Sequence, residues 1–193
     1  PGAITEQTFV VCGAGSAGMG IVNFIHAALV HHGLSPQQAF ERFYILDKHG
    51  LITSNRELKE GEPGVDDLRP FAESRRDLPD GINLREVIES AKPTALLGAS
   101  TVSGLFTHEI LTRMGELNKN PIIMPLSNPT SRAECTAEAA ANATEGRAIF
   151  SAGSPFDDVS RNGVTMVANQ GNNLYVFPGL GLGSILVGSN YIS

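Results

Sequence analysis

Apolar residues along this chain fall into short runs separated by polar, glycine-bearing stretches, and the spacing inside each run decides which element it predicts. Thr8 to Cys12 is a continuous apolar run closed by glycine, the mark of a strand buried on both faces of a parallel sheet. Beyond it Ile21, Phe24, Ile25, Ala28 and Leu29 recur at helical spacing. Ser35-Pro36-Gln37-Gln38 offers a capping hydroxyl, proline at the first helical position and glutamine at the third, so a short helix is expected to about Arg42. Phe43 to Leu46 reads as a second buried strand, closed by Asp47. Leu84, Val87 and Ile88 mark a helix ahead of Lys92-Pro93, and Thr94 to Gly98 a third strand. Thr107 can cap a helix carrying Ile110, Leu111, Met114 and Leu117, followed by a strand from Ile122 to Leu126. Thr136 can cap Ala137 to Thr144, and Ala148 to Ala152 is a further strand. From Thr53 to Gly81 the residues turn to Glu, Asp, Arg, Pro and Gly, and a long polar connection outside the core is expected there. Strands and helices alternating at these lengths imply an α/β fold, a doubly wound, mostly parallel sheet with helices on both faces.

The 193 residues suit one domain, and 21 glycines fit a globular chain with many tight turns. A formal charge of −6 leaves no broad basic surface to neutralise a phosphate backbone, so no nucleic acid partner is expected. Two cysteines, Cys12 and Cys135, make no disulfide framework and point to a reducing compartment, the cytoplasm or the mitochondrial matrix. The most apolar stretch, Leu174 to Ile192, is broken by Pro178 and repeated glycines, so no membrane partner is expected either. Pro1 to Gln7 run almost at once into a core strand, which suggests a domain cut from a longer chain.

Candidate chemistry begins where the first strand meets the first helix. Gly13, Ala14, Gly15, Ser16, Ala17 and Gly18 form a G-x-G-x-x-G turn in the context that makes the pattern informative. The first glycine permits a tight turn, the second lets a pyrophosphate approach the backbone, and the third lets helix and strand pack closely. The free amides of the helix N-terminus then favour the diphosphate of a dinucleotide. This is a Rossmann-type arrangement. Asp47, at the end of the second strand and about 30 residues past Gly18, is the candidate ribose-binding acid; the intervening short helix accounts for a spacing longer than the usual 20 or so. There it would accept from the adenosine ribose hydroxyls and repel a 2′-phosphate, favouring NAD over NADP; a strand-end acid making only a turn is the competing assignment.

Further segments follow in order: Leu46-Asp-Lys-His-Gly-Leu51, Gly98-Ala-Ser-Thr-Val-Ser-Gly104, Pro125-Leu-Ser-Asn-Pro-Thr130, Glu134-Cys-Thr-Ala-Glu138, Gly153-Ser-Pro-Phe156 and Gly171-Asn-Asn-Leu-Tyr-Val-Phe-Pro-Gly179. In this order they resemble the NAD(P)-binding part of the malic enzymes, a resemblance that extends over nearly the whole chain. The resemblance implies cofactor contacts at Ala99, Ser100, Ser127 and Asn128, and malate contacts at Asn128 and at one of the pair Asn172 and Asn173. Taken alone, Asn128 before proline reads first as a turn former.

Malic enzymes oxidise malate with NAD or NADP and decarboxylate the product to pyruvate and carbon dioxide, with Mg²⁺ or Mn²⁺ polarising the reacting oxygens. In that family a Tyr and a Lys that handle protons, and the acidic metal ligands, precede the nucleotide-binding segment. No catalytic residue and no metal ligand is therefore assigned to this chain; Glu62, Asp66, Asp67, Asp157 and Asp158 read as solvated charge. The resemblance divides the chain into a nucleotide-binding domain, residues 1–177, and a glycine-rich helical start at 178–193 that returns to a missing catalytic domain. Leu182, Ile185, Leu186 and Val187 there should expose apolar surface. The expected partners are malate, NAD(P), the catalytic domain of the same protein and further copies of it as a homo-oligomer. Two other functions compete: a malolactic enzyme, which releases lactate, and a non-catalytic module sensing NAD(P).

Overall fold

The computed structural model describes residues 2–60, 64–161 and 163–191. Strands β1 (Phe9–Cys12), β2 (Phe43–Asp47), β4 (Ala95–Gly98), β5 (Ile122–Pro125), β6 (Ile149–Ala152) and β9 (Ala168–Gln170) run parallel to their neighbours, and the two-residue β3 (Gly50–Leu51) adds an antiparallel edge. The order across the sheet is β3-β2-β1-β4-β5-β6-β9, so the chain builds outward from β1 in one direction and from β4 in the other. Two short strands, β7 (Val159–Arg161) and β8 (Val164–Met166), pair apart from it.

Alternation along β1 sorts its residues between two cores. Phe9 and Val11 face a cluster closed by α1 (Ser16–His31), α2 (Pro36–Phe40) and α3 (Val65–Ser74). Val10 and Cys12 face the other, closed by α4 (Leu84–Ala91), α5 (His108–Leu117) and α6 (Ala137–Thr144). Helices therefore cover both faces, as the doubly wound arrangement requires.

Two sequence expectations are corrected here. The stretch from Thr53 to Gly81 is not outside the core: α3 buries Val65, Leu68, Phe71 and Ala72, a helical face diluted by the charged residues around it. Phe71 meets Phe40 and Phe43 edge-on, with ring centroids 4.8 and 5.3 Å away. Phe24 does not point inward either. It is 80% exposed, because the buried face of α1 is built from Gly18, Met19, Val22 and Leu29, roughly half a turn away. The strands β3, β7, β8 and β9 are too short to leave a periodic signal.

The last helix, α7 (Phe177–Leu186), has no buried residue. The boundary expected at residue 178 falls within its first turn. No helix among the described residues is long and apolar enough to cross a membrane.

Candidate functional site

The carboxyl ends of β1 and β4 lie side by side where the strand order reverses, the position at which open α/β sheets receive ligands. Each glycine of the turn after β1 has a distinct reason to be there. Gly13 adopts φ +122°, and a side chain on it would strike the backbone carbonyl of Ala99. Gly18 is buried in α1 against the carbonyl of Gly13, so it sets the closeness of helix and strand. Gly15 differs: a Cβ there would have no atom within 4 Å. It is the N-cap of α1, with no side chain capping the amides beyond it, and Gly15, Ser16 and Ala17 are all exposed. Ala14 packs against the core beside α1. The turn thus offers a bare helix N-terminus over open space.

Two cavities flank this turn. The larger, about 630 Å³, is lined by Gly13, Gly15, Leu46, Asp47, Lys48, Ser100 and their neighbours. The smaller, about 320 Å³, is lined by Ala17, Ile21, Leu126, Ser127, Asn128, Gly171, Asn172 and Asn173. Ala99 and Thr101 line both, so the backbone after β4 forms the ridge between them. The structure therefore brings the expected cofactor and substrate residues to one edge of the sheet.

Their side chains are already engaged to different degrees. Asp47 accepts from the amide of His49 at 2.8 Å and from Arg56 Nη1 at 2.9 Å. Arg56 also bonds Asp80 at 2.7 Å, and these two carboxylates hold its guanidinium charged against the opposing effect of burial. Ser100 and Ser127 both turn their hydroxyls to Glu134, at 2.8 and 2.5 Å, so neither offers its hydroxyl proton to a ligand. Asn128 accepts from Ser154 at 2.6 Å while lying exposed at the smaller cavity. Asn172 donates to the Gly153 carbonyl and caps the turn that follows it through the Leu174 amide. Asn173 is exposed, and among the described residues its carboxamide forms no hydrogen bond. Of the pair, Asn173 is the one left open to a ligand.

Glu134, Arg56 and Thr101 are the residues that sequence reasoning did not assign to the site. Glu134 is fully buried. Burial, reinforced by the negative Glu134, pushes the Cys135 thiol up to about 12 and raises Cys12 further, so both are unreactive packing groups. A carboxylate set between Ala133 and Cys135, just ahead of an alanine-rich helix, was the available signal.

Among the described residues no three His, Cys, Asp or Glu side chains gather as a metal site. Asp66 and Asp67 lie in the first turn of α3, Asp158 accepts from the Ala168 amide, and Glu62 falls outside the described residues.

A family model described as the malic enzyme NAD binding domain matches residues 2–193. The mitochondrial NAD-dependent malic enzyme of Ascaris suum is 43% identical over 95% of this chain, which covers 27% of that protein. The NADP-dependent malic enzyme of Anas platyrhynchos is 43% identical over 98% of this chain and 33% of its own length. The solved malic enzyme of Entamoeba histolytica shares the fold, with a TM-score of 0.69 at 24% identity over 96% of this chain and 33% of that one. The chain thus spans about a third or less of the length of these relatives.

Proposed function

The chain belongs to the malic enzyme family, as its NAD-binding domain, and from that membership we propose that it holds NAD or NADP for a longer protein that oxidises malate and decarboxylates the product to pyruvate and carbon dioxide. The observation that carries this reading is the division among the three glycines. Two are locked by contact with backbone, and the middle one faces open space at a helix N-terminus, where a diphosphate can approach. The adenosine half would then extend into the larger cavity toward Asp47, and the nicotinamide half into the smaller one beside Asn128. Bound there, the dinucleotide supplies the hydride acceptor. Asn128 and Asn173 would orient malate through their carboxamides, which donate and accept at once. The Mg²⁺ or Mn²⁺ of the family finds no ligand set among the described residues, so its ligands would come from elsewhere in the longer protein.

Gly15→Val tests the cradle. Gly15 has an extended backbone, φ −81° and ψ −178°, that valine also adopts, and the space around it is empty, so folding should survive. NAD affinity by calorimetry should fall at least about tenfold, with the thermal midpoint little changed, because the new side chain occupies the diphosphate's approach. Unchanged affinity would remove the turn from the site. In the longer protein, pyruvate with NADH as products supports the malic reaction, whereas lactate without net NADH identifies the malolactic one.

A further inference from the structure

Glu134 has no exposed surface, and among the described residues no cation pairs with its carboxylate. An ion buried in this way is unfavourable unless hydrogen bonds satisfy it. Here they do. Oε1 accepts from the Ser100 amide at 2.9 Å, the Ser100 hydroxyl at 2.8 Å and the Ser127 hydroxyl at 2.5 Å, and Oε2 from the Ser127 amide at 3.4 Å. Two of these donors are backbone amides, which can only donate, so both oxygens act as acceptors.

The partners are not adjacent in sequence. Ser100 is the second residue after β4 and Ser127 the second after β5, so one carboxylate ties the two loops that line the cavities. The tie extends one residue further. Ser127 Oγ accepts from the Thr101 amide at 2.9 Å, and Thr101 sits at φ +59°, a region disfavoured for a β-branched residue and held only where its surroundings impose it. β4 also ends in glycine for this reason: a Cβ on Gly98 would lie 2.6 Å from Glu134 Oε2.

We propose that Glu134 is a positioning residue for the dinucleotide. By holding Ser100 and Ser127, and through Ser127 the left-handed Thr101, it fixes the ridge between the cavities against which the nicotinamide half settles. It touches no ligand itself. This role rests on the dinucleotide site proposed above, and it bears chiefly on one half of that site: Ser100 and Thr101 also line the larger cavity, but the adenosine half there would be held by Gly15 and Asp47, which form no hydrogen bond with Glu134.

The test compares NAD with AMP, which carries the adenosine half alone, by calorimetry on the wild-type chain and on Glu134→Gln, with thermal unfolding alongside. The amide keeps the reach of the side chain but removes its charge and sets an N–H against the Ser127 amide. NAD affinity should fall about tenfold while AMP affinity stays within roughly twofold. Equal NAD affinity in the folded variant would overturn the role, and so would a parallel loss for both ligands, which is the mark of a merely structural residue. Should Glu134→Gln fail to fold, Ser127→Ala cuts the same tie from its other end in a small buried side chain, and the same split is expected; its absence overturns the role equally. Wild-type protein that binds neither ligand would overturn the dinucleotide site itself, and this role with it.

Discussion

The carboxylate of Asp47 is shared between two partners, and the sharing bears on what it would do to a cofactor in the proposed site. One oxygen closes a turn at the His49 amide and the other meets Arg56, which reaches on to Asp80. The simple expectation of a bare carboxylate repelling a 2′-phosphate is therefore modified, because a guanidinium at 2.9 Å offsets much of that field. Asp47→Ala should release Arg56 from one of its two carboxylates and remove the repulsion together. The ratio of NADP to NAD affinity should then rise, on the order of tenfold, since an arginine bonds a phosphate as readily as a carboxylate. Paired calorimetric titrations check this. A ratio that does not move makes Asp47 a turn residue only.

Elements whose signals are local were readable from the chain. Ser35, Thr107 and Thr136 each cap a helix through the third amide beyond, and α6 runs from Ala137 to Thr144 as expected. The glycine turn was readable because its pattern fills six consecutive residues after a strand, although the carbonyl that excludes a side chain at Gly13 belongs to the distant Ala99. α3 was not. Its four buried apolar residues are matched by four charged ones and Pro70 sits inside it, so composition described a connection where position describes an amphipathic face. The Glu134 tie and the Arg56 bridge were unreadable on different grounds: they join residues 34 and 24 apart, which only the fold brings together. The part of α3 in the core gives an element-scale prediction. Phe71→Ala removes a ring packed against Phe40, Phe43 and His26 and should lower stability by about 3 kcal/mol in urea unfolding. NAD affinity of the remaining folded protein should be unchanged, because α3 lines neither cavity at the glycine turn. A stability loss below about 1 kcal/mol would mean that α3 is not part of the core.

Across the whole molecule the two cavities differ in the chemistry they can supply. Asp47 and Lys48 line the larger one, while the smaller one, where malate and nicotinamide would meet, has three asparagines and no ionisable side chain in its lining. Carboxamides orient a substrate, but they do not take a proton from a hydroxyl, and malate oxidation requires that proton to leave as the hydride departs. Leu180, Leu182, Ile185 and Leu186 on α7 are each more than half exposed, an apolar surface of the kind that another part of a longer protein covers. The 193-residue chain by itself should therefore bind NAD and show no malate-dependent NADH formation, even with Mn²⁺ in excess. In the longer protein the asparagines can be tested separately from folding. Asn128→Ala and Asn173→Ala should each lower kcat/KM for malate by about tenfold or more, as loss of a substrate hydrogen bond does. Asn172→Ala should act differently, lowering the thermal midpoint, because its carboxamide spans Gly153 and Leu174. Steady-state NADH formation beside thermal unfolding for the three variants separates orientation of substrate from support of the loop. Turnover by the chain alone would place a base within it. Wild-type kinetics in both Asn128→Ala and Asn173→Ala would leave these residues as turn formers with no hold on malate.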